Sequence, residues 1–196
     1  MKRYFQELPE AEMMSMQAIL DAYKNENYKF SFLSFNYTDV LDRIVDLYGT
    51  SKIISNRNAN ASDYIGNILH IHGTINEGIL LGVNDESQVL NEEFVKNSLF
   101  LDTFIKERIN KAIGNNRTPK ALDYITQSRI ICVYGMSIGD TDKMWWEHIV
   151  KWLLKSTYNK LLIYWYTEEE MFNKKAVSKI ICVLPTEVAL TPVKCH

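Results

Sequence analysis

The spacing of apolar residues changes along the chain, so that segments with the pattern of a strand are followed by segments with the pattern of a helix. Short runs rich in β-branched and aromatic residues predict strands, and apolar residues spaced three and four apart predict helices between them. The predicted strands are KFSFLSF, KIIS, NILHIHG, ILLGV, RIICVYG, LLIYWY and IICVL. RIICVYG is apolar without interruption, which is typical of a strand that is buried on both faces.

Amphipathic stretches predict the helices, and polar clusters predict the turns. TDVLDRIVDLYG offers Thr38 as an N-cap and Gly49 as a stop signal, and residues 88–128 are mostly helical in pattern. NRNANASD has the composition of a turn. The other predicted helices are PEAEMMSMQAILDAYKNEN, KMWWEHIVKWLLK and EEEMFNKKAVSK. In KMWWEHIVKWLLK the tryptophans lie on a broad apolar arc, which we interpret as core packing.

This order of elements predicts the fold class. Strands that alternate with helices imply parallel pairing, with helices on both faces of the sheet. We therefore expect a single α/β domain over residues 1–196 with a Rossmann-like, mostly parallel sheet.

Composition and charge narrow the classes of partner. The 196 residues are 46% hydrophobic, and 22 basic against 24 acidic side chains give a net charge of −2. Without a basic excess, nucleic acid is not an expected partner. No apolar run approaches the roughly 20 residues of a membrane helix, so we expect a cytoplasmic protein without a membrane partner. The three cysteines, Cys132, Cys182 and Cys195, form no C-x-x-C pair and are interpreted as reduced packing residues.

The segment after the first predicted strand is the first candidate site, because open parallel sheets bind ligands beyond the carboxyl ends of their strands. Asn36 directly follows KFSFLSF, and Thr38 and Asp39 begin a helix. An amide both donates and accepts hydrogen bonds, which suits orienting a water molecule or a ribose hydroxyl. Alternatively, Asn36 and Thr38 only end the strand and cap the helix, and the pattern alone favours this simpler role.

The second candidate site is HIHG. On a strand, His70 and His72 would project to the same face, and an imidazole can accept a proton at physiological pH. The pair could instead hold a metal, with Asp85 or another acid completing the ligands. In a third interpretation both are half-buried strand residues. Gly73 favours a functional role slightly, since its missing Cβ would let a ligand approach the strand end.

The third candidate site is the loop in VYGMSIGDTDKMWWEHI. Gly135, Ser137 and Gly139 allow close backbone approach to a ligand. Asp140 and Asp142 would repel a phosphate near the helix N-terminus, so sugar hydroxyls are the expected neighbours. Simple helix capping is the alternative role of the aspartates.

The glycines are informative through their spacing. The eight glycines, at positions 49, 66, 73, 78, 82, 114, 135 and 139, nowhere form G-x-G. The phosphate-cradling turn of the first βα unit in a dinucleotide-binding fold is therefore missing from this sequence. Either the ligand is not a dinucleotide or the sequence begins too late to include that turn.

Four blocks in a fixed order carry a family resemblance. FNYTDVLDRIVDLYG, HIHG, LLGVND and VYGMSIGDTDKMWWEHI resemble the bacterial abortive infection family AbiH, which acts in phage defence, over roughly residues 30–155. More distantly, the same blocks are similar to sirtuin-like defence domains, which bind NAD and hydrolyse its nicotinamide N-glycosidic bond.

The resemblance implies roles for particular residues. Asn36 and His72 match the catalytic positions of the sirtuin-like domains, with NAD as substrate and no prosthetic group. The positions it implies for nucleotide binding are Thr38, Asp39, Gly73, Gly135, Ser137 and Asp142. It also implies a sirtuin-like fold, and it leaves room for self-association and for a phage-derived trigger.

Two departures from the family pattern qualify these implications. Family members usually begin with a strand and a G-N-G-F-D type turn, and the sequence lacks both. We therefore expect the first βα unit to be missing by truncation at the N-terminus. FNYTD also has one more residue between Asn and Asp than the N-x-D of sirtuin-like sequences, which leaves the role of Asp39 open.

Three functions follow as hypotheses. The first is an antiphage protein that hydrolyses NAD, with Asn36 orienting the water or a ribose hydroxyl and His72 as base. The second is a nucleotide-binding or regulatory module without catalysis. The third is metal-dependent hydrolysis at His70 and His72, which ranks last because no third ligand has a recognisable spacing.

Overall fold

The computed structural model describes residues 10–49, 52–136, 139, 142–165 and 179–183. The chain divides into two compact units. The central unit comprises residues 24–124, and the terminal unit comprises residues 1–23 and 125–196. The single domain expected over residues 1–196 stays a prediction.

The elements alternate between strands and helices only in part. In chain order they are α1 (Glu10–Ala22), β1 (Tyr28–Ser34), α2 (Val40–Asp46), β2 (Ile53–Asn58), β3 (Ala61–His70), a 3₁₀ helix (Glu86–Gln88), α3 (Glu92–Val95), α4 (Ser98–Phe104), α5 (Lys106–Ala112), α6 (Arg117–Gln127), β4 (Ile130–Tyr134), α7 (Lys143–Leu154), β5 (Lys160–Trp165) and β6 (Lys179–Val183). Within the described ranges, no helix is both long enough and apolar enough to span a membrane.

The central unit contains a three-stranded sheet in the order β1-β3-β2. β1 pairs with β3 in parallel, and β2 pairs with β3 in antiparallel orientation. The predicted turn NRNANASD is mostly strand, with its turn confined to residues 59–60. Two pairs of polar side chains bond across the hairpin, where Ser62 donates to Asn56 and Ser55 donates to Asp63, both at 2.8 Å. Paired polar residues can therefore occupy strands that their composition argues against.

The strand predicted at ILLGV is wrong, and the predicted helical region 88–128 is interrupted at Ile105 for the same reason. Only Val83 forms a β-bridge, to Ile105. The Val83 amide donates to the Phe104 carbonyl at 3.0 Å, and the Lys106 amide donates to the Val83 carbonyl at 2.9 Å. Ile105 is extended, with φ −88° and ψ 117°, between α4 and α5. Gly82 permits this contact, because a Cβ there would overlap the Phe104 carbonyl oxygen.

The terminal unit contains a second three-stranded sheet, in the order β4-β5-β6. β4 and β5 are parallel, whereas β5 and β6 are antiparallel. The core of this unit includes α7, whose buried residues are Trp145, Ile149, Trp152 and Leu153. The interpretation of the tryptophans as core packing is therefore confirmed for Trp145 and Trp152.

The burial predicted for β4 is wrong. Val133 is the buried residue of this strand, while Cys132 and Tyr134 are exposed. The packing role predicted for Cys132 is therefore also wrong, and the side chains of Cys182 and Cys195 lie outside the described part of the chain. The helix predicted over EEEMFNKKAVSK falls almost entirely on residues outside the described ranges as well.

The predicted Rossmann-like, mostly parallel sheet of sirtuin-like type is wrong. The described strands form two separate mixed sheets, each with one parallel and one antiparallel pair. In the central unit, the two-residue turn between β2 and β3 allows only antiparallel pairing, since a parallel pair needs a long crossover. The spacing of apolar residues within a strand cannot distinguish parallel from antiparallel pairing, because side chains alternate between the two faces of the sheet in both cases.

Candidate functional site

The candidate site lies where the parallel strands β1 and β3 end. Their last residues, Ser34 and His70, pair in register. Because the strands are parallel, the segments that follow them leave the sheet at the same edge. We call residues 35–39 together with residues 70–73 the strand-end site.

His72 contacts the segment after β1 through its ring. The imidazole centroid lies 5.8 Å from that of Phe35 in an edge arrangement and 6.0 Å from that of Tyr37. His72 is half-buried, and Asn36, between the two aromatic residues in sequence, is exposed. The Ile75 amide donates to the Tyr37 carbonyl at 2.9 Å, which holds the two segments together. The structure thus brings Asn36 and His72 to one sheet edge.

His70 has a different environment from His72. It is the last residue of β3, so the strand alternation predicted to align the two histidines does not reach His72. His70 is buried, and its Nε2 lies 2.8 Å from Oδ2 of Asp42. Its Nδ1 is buried without a hydrogen-bond partner among the described residues. This arrangement fits the Nε2–H tautomer, which donates to the carboxylate and leaves no buried N–H unsatisfied.

A metal site at His70 and His72 would need further ligands. Among the residues that the structure describes, no group of three or more His, Cys, Asp or Glu side chains is placed to hold a metal ion. His70 is instead hydrogen-bonded to Asp42, which joins β3 to α2, and metal binding by the two histidines stays a prediction.

Asp39 and Thr38 differ from their predicted roles at the start of α2. Asp39, not Thr38, occupies the N-cap position, and its side chain makes no capping hydrogen bond. Instead, the Asp39 carboxylate accepts from Arg43 at 3.0 Å and from Asn76 at 3.3 Å. Thr38 is exposed. Asp39 therefore joins α2 to the turn after β3, and nucleotide binding by Thr38 and Asp39 stays a prediction.

Gly73 is required by the backbone. Its φ is +77°, a region that favours glycine, and a Cβ there would overlap the carbonyl oxygen of Gly78. The His72 carbonyl accepts from the Leu80 amide at 2.9 Å, so the chain folds back against the site. The space next to Gly73 is filled by this returning backbone, and its missing Cβ serves the close approach of the Gly78 carbonyl.

Arg117, which no sequence pattern pointed to, lies beside Gly73. Nη1 of Arg117 lies 3.0 Å from the position that a Cβ on Gly73 would occupy. Arg117 is half-buried and begins α6. No spacing rule links it to HIHG, because the contact arises from the packing of a distant helix.

The residues predicted in the third loop belong to the terminal unit. Gly135 is exposed with φ +63°, which fits the expected conformational freedom. Asp142 is half-buried at the N-cap position of α7 and makes no side-chain capping bond. Ser137 lies outside the described residues. Nucleotide binding by these three residues stays a prediction.

The comparisons with known proteins identify the family. The model of the bacteriophage abortive infection family AbiH matches residues 1–164, which extends the stretch of roughly 30–155 inferred from the four sequence blocks. No curated protein and no solved structure matches the chain. Since the match covers more than half of the sequence, the chain belongs to the bacteriophage abortive infection AbiH family.

Proposed function

We propose that the strand-end site hydrolyses the N-glycosidic bond between nicotinamide and ribose in NAD, with His72 as general base and Asn36 as orienting residue. The observation that carries this proposal is the contact of the His72 ring with Phe35 and Tyr37, the two neighbours of Asn36. The ring contacts thereby join the segment of the His72 imidazole to the segment of the exposed Asn36 amide.

The reaction needs little acid catalysis. When the C1′–N bond breaks, its electron pair neutralises the pyridinium nitrogen, and nicotinamide leaves as a neutral molecule. The ribose that remains has oxocarbenium character, and a water oxygen adds to C1′. His72 accepts the proton from this water, and the products are nicotinamide, ADP-ribose and one proton. A positioned base of this kind typically contributes about 10² to 10⁴ in rate.

The aromatic neighbours favour this role for His72 by fixing its ring. Phe35 meets the imidazole at an interplanar angle of 69° and Tyr37 at 32°, so the ring is packed from two directions. A ring that is fixed before the substrate binds loses less freedom in the reaction. Asn36 carries both a donor and an acceptor, which suits holding the attacking water or a ribose hydroxyl next to this base.

The experiment is incubation of the purified protein with NAD, followed by mass spectrometry of the small molecules. Equal amounts of nicotinamide and ADP-ribose, growing with time, are expected. NAD that is retained intact by the protein would contradict hydrolysis and support the binding or regulatory module instead. NAD that is neither bound nor cleaved would contradict both.

A further inference from the structure

Arg117 places a positive charge beside the strand-end site. Its Nη1 lies 3.0 Å from where a Cβ on Gly73 would be, next to the turn that carries His72. The Arg117 amide donates to Oδ1 of Asn115 at 2.9 Å, which fixes the start of α6. The helix start from which the Arg117 side chain projects is therefore fixed, and its guanidinium lies at the turn.

This guanidinium has no acidic partner among the residues that the structure describes. Among the described residues, Arg43 pairs with Asp39, and Arg108 pairs with Asp102 and Glu86, whereas the half-buried Arg117 has no such ion pair there. A guanidinium carries five N–H donors, and charge-assisted hydrogen bonds to an anion are stronger than those to neutral acceptors. An anion from outside the chain could therefore use donors of Arg117.

We propose that Arg117 binds a phosphate group of the ligand at the strand-end site. The planar fork of the guanidinium matches two phosphate oxygens. Identifying this group with the pyrophosphate of NAD rests on the proposed function.

The test separates phosphate binding from catalysis. In a His72→Ala background, which spares the ligand from turnover, calorimetry measures the affinities for NAD and for nicotinamide riboside, which lacks phosphate. Adding Arg117→Met is expected to weaken NAD binding roughly 10- to 100-fold and to leave riboside binding unchanged. Arg117→Lys keeps the charge but loses the fork, so an intermediate affinity is expected.

Arg108→Met is the matched control, because Arg108 is an arginine of the same unit whose guanidinium is already paired. It is expected to leave both affinities unchanged. NAD binding that is equally tight with and without Arg117 would overturn the proposal, as would equal weakening by Arg108→Met.

Inorganic pyrophosphate is the probe that distinguishes this proposal from the proposed function. Suppose that NAD does not bind, but that pyrophosphate binds the wild type and does not bind Arg117→Met. This result would support the anion site at Arg117 and would contradict NAD hydrolysis. If neither NAD nor pyrophosphate binds the wild-type protein, the assignment of Arg117 is wrong.

Discussion

Nε2 of His70 lies 2.8 Å from Oδ2 of Asp42, so a single hydrogen bond joins the last residue of β3 to α2. The imidazole is 7% exposed, whereas the carboxylate is 40% exposed. The carboxylate can therefore regain water if the bond is lost, but the histidine cannot. Residues 35–39 of the strand-end site lead into α2, and residues 70–73 begin at the last residue of β3. The bond therefore links the elements next to these two segments.

Removal of the Asp42 carboxylate should destabilise the protein. Asp42→Ala leaves the buried Nε2–H of His70 without an acceptor, and we expect the free energy of unfolding to fall by about 1–3 kcal/mol. Urea denaturation followed by circular dichroism measures this loss. Asp46→Ala is the control, because Asp46 is an exposed aspartate of the same helix. An equal effect of both substitutions would show that the bond to His70 contributes nothing.

Alanine at Gly73 should cost more than alanine at Gly78. Both glycines have positive φ, +77° and +82°, so both substitutions carry the left-handed backbone cost of roughly 1–2 kcal/mol. A Cβ at Gly73 also overlaps the Gly78 carbonyl oxygen, whereas a Cβ at Gly78 meets nothing within 4 Å. We expect the midpoint of urea denaturation to fall clearly further for Gly73→Ala. Matching midpoints would contradict the close approach of the two backbones.

The two adjacent leucines at the end of α7 test the core of the terminal unit. Leu153 is 0% exposed and Leu154 is 50% exposed. Leu153→Ala should lower the free energy of unfolding by about 2–5 kcal/mol, and Leu154→Ala should cost much less. Tryptophan fluorescence during denaturation reports on this core, since Trp145 and Trp152 are buried there. A larger loss for Leu154→Ala would mean that α7 presents its other face to the core.

Local periodicity predicted much of the secondary structure but not the pairing of the strands. The runs KFSFLSF, RIICVYG and LLIYWY correspond to β1, β4 and β5, because their β-branched and aromatic residues are frequent in strands and each run has a partner strand. ILLGV is also an apolar run with Ile and Val, yet only Val83 pairs. Strand formation there depends on whether a partner strand is available, which composition does not encode.

The candidate site was predictable to the extent that it follows the ends of strands. Asn36 was expected directly after a strand and His72 on a strand near its end, and the parallel pair β1/β3 brings their segments to one edge. The environments of His70 and Arg117 were not predictable. His70 is hydrogen-bonded to Asp42 of α2, and Arg117 of α6 lies beside Gly73. The surroundings of both side chains therefore depend on how these helices pack.

The rate of nicotinamide release from NAD, compared between the wild type, His72→Ala and His148→Ala, tests whether His72 is the base in NAD hydrolysis. His148 is a half-buried histidine of α7, so its substitution controls for the loss of an imidazole elsewhere in the chain. We predict that His72→Ala lowers the rate by about 10² to 10⁴, while His148→Ala keeps the wild-type rate. If the His72→Ala protein folds normally and still releases nicotinamide as fast as the wild type, His72 is not the base of the reaction.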